Sequence, residues 1–139
     1  MTNGKLDITS LKNAVQALQK SIDVYEKNGD DDIDLSDTLR SGVIQNFEVA
    51  YELSWKFMKR WLEMNISADI VSGVSRKEFY RIAAENLLIS DVEEWWSFHE
   101  GRNKTSYTYD SITAEDVLET ALKFSPYSKD FISRLEQRL

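Results

Sequence analysis

The chain has 139 residues, 42% hydrophobic and 29% charged, with a net charge of -7. That length suits one domain with a sizeable core, and the composition is globular rather than disordered. Absence of cysteine excludes disulfides and thiolate chemistry, a single histidine, His99, cannot build a histidine-rich metal site, and the acidic balance argues against gripping duplex nucleic acid mainly through phosphate contacts.

The first predicted helix runs from about Ile8 to Lys27, with Thr9 or Ser10 as its cap. Leu11, Val15, Leu18, Ile22 and Tyr25 form a heptad-like stripe on one face. Gly29 suits a left-handed turn after it. The acidic run from Asp30 to Asp34 reads as a solvated surface loop, and it lacks the glycine and terminal glutamate of an EF-hand. A long second helix is predicted from about Asp37 to Asn65. At about 100° per residue, Ile44, Phe47, Tyr51, Trp55, Met58, Trp61 and Leu62 fall within one arc of roughly 120°. Glu48, Glu52, Lys56 and Lys59 lie along one flank of that arc, with Glu52 and Lys56 in the favourable i,i+4 order.

Capping-box patterns predict two further starts, at Ser75-Arg76-Lys77-Glu78 and at Ser90-Asp91-Val92-Glu93. Phe79, Ile82, Ala83 and Leu87 form the apolar face of the third helix, and Val92, Trp95, Trp96 and Phe98 follow the fourth start. A weaker box at Thr113 opens a fifth, and Ser125-Pro126 can restart a last helix with proline at its first position. No segment alternates with period two for more than a few residues. The expected fold is therefore all-α: an up-and-down bundle of four main helices with short additional helices. Residues 1–139 form one domain, with 1–7 expected to be flexible. Apolar runs are too short for a membrane span, and Met1 to Lys5 lacks a signal peptide's apolar stretch, so a cytoplasmic protein is expected.

The five glycines are too scattered for a phosphate-binding loop, and no H-E-x-x-H or serine elbow is present. No cofactor or metal is expected. The unusual stretch is Trp95 to Asp110, where aromatic and polar residues interleave after an apolar helix. His99 and Arg102 lie one helical turn apart, and Tyr109 would share their face if the helix continues. Arg102 offers a planar fork for phosphate or carboxylate. It and Asn103 could equally satisfy helix ends and a glutamate such as Glu48. Trp61, Trp95 and Trp96 are either core residues or anchors for a partner.

Two segments carry a resemblance: Val43 to Lys56 (VIQNFEVAYELSWK), and Trp95 followed by Arg102 to Asp110 (RNKTSYTYD). Together they resemble the nucleotidyltransferase substrate-binding proteins of the HEPN superfamily, over about Leu6 to Leu135. The resemblance implies a small helical bundle, a homodimer, and association with a minimal nucleotidyltransferase in a toxin–antitoxin-like pair. It also implies an R-x4-6-H ribonuclease motif, in which Arg stabilises phosphate and His moves protons without a metal, and a tyrosine that accepts adenylyl groups. In this sequence the Arg position is Arg102, Asn103 follows it, the His position holds Tyr107, and the acceptor position holds Tyr109. An ordinary phenol has a pKa of about 10 against about 6.5 for imidazole, so Tyr107 is a poor proton shuttle at neutral pH. His99 is the other candidate base. The expectation is a non-catalytic partner subunit, with Glu48, Glu52, Arg102 and Asn103 as a polar cleft and nucleotide or RNA as possible ligands. The alternative is a weakened ribonuclease toxin resting on Arg102 with Tyr107 or His99, regulated by adenylylation of Tyr109.

Overall fold

Five helices and one short 3-10 turn account for most of residues 6–28 and 32–139, the part of the chain described by the computed structural model. They are α1 (Thr9–Asn28), α2 (Ile33–Asn65), α3 (Arg76–Glu85), α4 (Val92–Asn103) and α5 (Ser111–Glu136), with the 3-10 turn at Lys104–Tyr107 between the last two. There is no strand among the described residues, as the absence of period-two alternation predicts. None of the helices is long and apolar enough to cross a membrane.

The three long helices, α1, α2 and α5, pack against one another, and α4 closes on α5 and α2. α1 contributes Leu11, Val15, Leu18 and Ile22, the stripe seen in the sequence. α2 buries Ile44, Phe47, Tyr51, Met58, Trp61 and Leu62, while Trp55 stays half-buried at the edge of that arc. An aromatic cluster fills the centre. Trp95 of α4, only 1% exposed, meets Tyr80, Phe98, Phe124 and Phe131 with ring centroids 5.5 to 6.0 Å apart, the edge and tilted geometries that aromatic quadrupoles favour. Trp95 and Trp61 are therefore core residues, and Trp96 is half-buried.

Helix starts differ from the sequence reading where an aspartate takes the capping role. α2 begins at Ile33 rather than Asp37, because the Asp32 carboxylate accepts the Asp34 and Leu35 amides at 2.9 and 3.3 Å. Asp32 to Asp34 therefore start a helix instead of forming a loop; Gly29, Asp30 and Asp31 lie outside the described residues. Asp91, not Ser90, caps α4, accepting the Glu94 amide at 3.1 Å. Asp110, not Thr113, caps α5, and its hydrogen bonds from Thr113 hold its carboxyl below the usual carboxylate range. Ser75 caps α3 through the Glu78 amide, as predicted.

No helix restarts at Pro126, which lies inside an unbroken α5. Proline in a helix interior forfeits one backbone hydrogen bond and costs about 3 kcal/mol. Packing outweighs that here: Phe124, Phe131, Ser125 and Ser128 flank the proline fully buried or nearly so, and Ser125 Oγ donates to Gln19 Oε1 of α1 at 2.8 Å. Leu87 also departs from its expected place in the core. It is 58% exposed with φ of +64°, and forms the left-handed turn that ends α3, with Arg134 of α5 donating to its carbonyl at 3.2 Å.

Candidate functional site

The polar edge of the bundle is built where α2 and α4 meet and α3 begins. Positions 48, 52 and 55 recur at helical spacing on α2, so Glu48, Glu52 and Trp55 project beside the buried stripe rather than into it. α4 faces two ways. Trp95, Phe98 and Gly101 turn into the core, while Trp96, His99, Arg102 and Asn103 rim the edge. Gly101 permits this close approach, since a Cβ there would lie 2.6 Å from Thr120 Cγ2 of α5.

Arg102 lies between the two α2 carboxylates. Its Nη1 is 3.5 Å from Glu48 Oε2 and its Nε 3.1 Å from Glu52 Oε1. The Nε contact is an ion pair without the alignment of a hydrogen bond. Thr105 Oγ1, 3.2 Å from Glu48 Oε2 and 2.8 Å from the Arg102 carbonyl, ties the 3-10 turn to this group. The three charged side chains are partly exposed, so Glu48, Glu52 and Arg102 form a half-open cluster, not a buried one. Solvent screening keeps such pairs weak, at about 0–1 kcal/mol each.

A second cluster adjoins the first through Glu52 and Trp55. Glu52 Oε2 accepts the Trp55 indole N–H at 3.2 Å, and the Arg76 guanidinium stacks on the Trp55 ring with 3.9 Å between its carbon and the centroid. Arg76 Nη1 donates to the Tyr51 hydroxyl at 3.1 Å. That hydroxyl also hydrogen-bonds the Tyr80 hydroxyl and lies 3.1 Å from His99 Nδ1. Asn103 Nδ2 is 3.3 Å from His99 Nε2. Arg76 Nη1 also lies 3.4 Å from His99 Nδ1, so both ring nitrogens of His99 are engaged by protein groups, and its tautomer sets which neighbour donates. Burial pushes both phenols up, Tyr80 well above its usual value. Partial burial and the nearby Arg76 cation hold His99 below the ordinary imidazole range, so it is neutral at physiological pH.

α4 ends at Asn103, so Tyr109 does not continue the face of His99 and Arg102. Tyr107 and Tyr109 are instead displayed on the turn before α5, 59% and 89% exposed. The structure thus brings Glu48, Glu52, Arg102, His99 and Asn103 to one edge, while Tyr107 and Tyr109 project from the adjoining turn. The sequence reading missed Arg76, Tyr80 and the polar role of Tyr51. One signal was available for Arg76: a cation in the first turn of a helix opposes the macrodipole and asks for another reason to be there.

The all-helical bundle is a fold that known proteins share. The family model described as nucleotidyltransferase substrate binding protein like matches residues 6–137, and the chain belongs to that family. Among curated proteins it is similar to the probable ribonuclease HepT of Haemophilus influenzae, 34% identical over 99% of this chain and 97% of that one. A solved Haemophilus influenzae structure, reported as the fold of a substrate binding domain of a nucleotidyltransferase, matches with a TM-score of 0.83 and 30% identity over 94% of this chain and 99% of its own. A Thermus thermophilus structure shares the fold at a TM-score of 0.71 and 21% identity, over 90% of this chain and 98% of its own.

Proposed function

We propose that this protein is the non-catalytic substrate-binding partner subunit of a two-component minimal nucleotidyltransferase. One observation carries the reading: the imidazole of the chain has both nitrogens within hydrogen-bond reach of protein groups, Tyr51 and Asn103, and the motif position that calls for histidine holds an exposed tyrosine. A general base needs a free nitrogen within reach of the proton it takes. Arg102, the motif arginine, is already offset by Glu48 and Glu52, which suits a positioned polar edge better than a bare phosphate clamp.

Family membership and the relative reported as a nucleotidyltransferase's substrate binding domain support the partner assignment. The functional unit in this reading is a cytoplasmic homodimer bound to the nucleotidyltransferase in a toxin–antitoxin-like pair. Tyr109 is its modification site. Its phenol oxygen attacks the α-phosphorus of a nucleoside triphosphate held by the partner, a new O–P bond forms, pyrophosphate leaves and the phenol proton goes to solvent. The exposure of Tyr109 supports that role.

The second reading, a metal-independent ribonuclease, is favoured by the similarity to the probable ribonuclease HepT. The discriminating experiment is RNA cleavage by the purified protein, alone and as Tyr107→His. Cleavage absent from the natural chain supports the partner subunit. Cleavage by the natural chain that disappears in Arg102→Ala supports the ribonuclease. Strong activation by Tyr107→His would mean that the remaining site is intact and lacks only its base.

A further inference from the structure

A groove of about 500 Å³ runs between α1 and α5 and shares no residue with the polar edge. The two helices are antiparallel here, with Lys12 meeting Glu136 at 2.9 Å and Ser125 meeting Gln19 at 2.8 Å. Val15 and Ile132 are core residues that form the floor, and the exposed Lys12, Lys20 and Lys129 line the sides. Lysine stems extend such an apolar floor while their ammonium groups stay in water. Gln19 fixes one wall: its Oε1 accepts from the buried Ser125 and from Lys129, and its Nε2 donates to Asp23. Asp23 is the one carboxylate lining the groove, and Glu136 beside it offsets Lys12. Lys20 and Lys129 have no carboxylate within ion-pair distance among the described residues. In a chain of net charge -7, this is an aliphatic trough with two unspent cations.

The chain displays the opposite pattern elsewhere. Ile33, at the start of α2, is 78% exposed, so it is not seated in its own molecule. Asp34 and Asp37 share an arc of about 100° with it on the helix. Asp34 has no ion pair among the described residues, and Asp37 is only 3.5 Å from Arg40. This is an aliphatic knob between carboxylates, and the groove is an aliphatic floor between ammonium groups. Complementary charge of this kind fixes register and suppresses wrong partners.

We propose that the α1–α5 groove docks a second copy of this chain, Ile33 of one copy resting on Val15 and Ile132 of the other, with Asp34 and Asp37 facing Lys20 and Lys129. One copy gives the knob and the other the groove, so the contact is heterologous. It is therefore separate from a two-fold homodimer, and it does not depend on whether the protein partners a nucleotidyltransferase or cuts RNA. Repeated, such a contact builds a ring or an open chain.

Sedimentation velocity of the full-length protein, from about 1 μM to about 1 mM, reads the contact directly. In low salt, species larger than the basal oligomer should grow with concentration. Raising the salt should weaken that association about tenfold or more, because both faces are charged. Lys20→Glu with Lys129→Glu removes the groove, and Ile33→Ser with Asp34→Asn removes the knob. Each pair should abolish the larger species, whereas Lys77→Glu with Lys104→Glu, the same charge change outside the groove, should leave them. An equal mixture of the groove and knob variants should associate again, since one keeps a knob and the other a groove. Thermal unfolding of each variant establishes that the bundle is intact. A natural chain that stays at its basal size over this range would overturn the proposal and leave the groove to an acidic segment of a different protein. Larger species that survive both pairs of substitutions would overturn it too, as would a mixture of folded variants that does not associate. The natural chain is read first, so a variant that fails to fold does not remove the test.

Discussion

The stretch from Trp95 to Asp110 divides into two regions that share a sequence motif but not a physical state. α4, ending at Asn103, is pinned on both faces: aromatic packing inside, the Arg102, His99 and Asn103 contacts outside. The turn that follows is tied to α2 by Thr105 donating to Glu48, is otherwise held by short-range hydrogen bonds, and presents Tyr107 and Tyr109 to solvent. The difference teaches that a recurrent motif can mix residues kept for building with residues kept for display, and that only the structure separates them.

The contrast breaks most visibly at Trp95. Trp95→Ala should cost about 3–5 kcal/mol, read by denaturant unfolding, because it opens a void among Tyr80, Phe124 and Phe131. Tyr51→Phe comes next, at about 1–3 kcal/mol, since it leaves the Tyr80 hydroxyl buried without its partner. The double variant with Tyr80→Phe should recover part of that loss, because both polar groups are then gone. A pH titration of stability sharpens the same point. His99 is depressed in the folded state, so its contribution is present above the unfolded value of about 6.5 and is lost as pH falls through that value and toward the lower folded pKa. His99→Gln should flatten that part of the profile. At the displayed end, Tyr109→Phe should change stability by no more than about 0.5 kcal/mol, and intact mass would show whether an adenylyl-sized increment disappears with it.

Much of the fold was legible because helical periodicity is a strong signal. The stripes of α1 and α2 follow directly from where Leu11 to Ile22 and Ile44 to Leu62 fall. Boundaries were less so. Aspartate and serine both cap helices, and only tertiary placement decided for Asp91 over Ser90 and for Asp110 over Thr113. Pro126 misled because its local cost is real, yet packing between α5 and α1 overrides it. At the site, Glu48 and Glu52 could be paired from helical spacing, and Arg102 was placed beside them by its charge and by the motif of the family resemblance. Arg76 could not, since its meeting with Trp55 and His99 depends on how α3 returns across α2, which no local pattern encodes.

α2 carries Glu48, Tyr51, Glu52 and Trp55 within a single unbroken helix. Substitutions there alter one side chain at a time. Inserting or deleting one residue between Glu48 and Trp55 would instead rotate everything beyond it by about 100°. Either Tyr51 and Met58 would lose the core or Glu52 and Trp55 would lose their arginines. This segment can therefore drift in residue type but not in length, and natural length variation should be confined to the connections between helices.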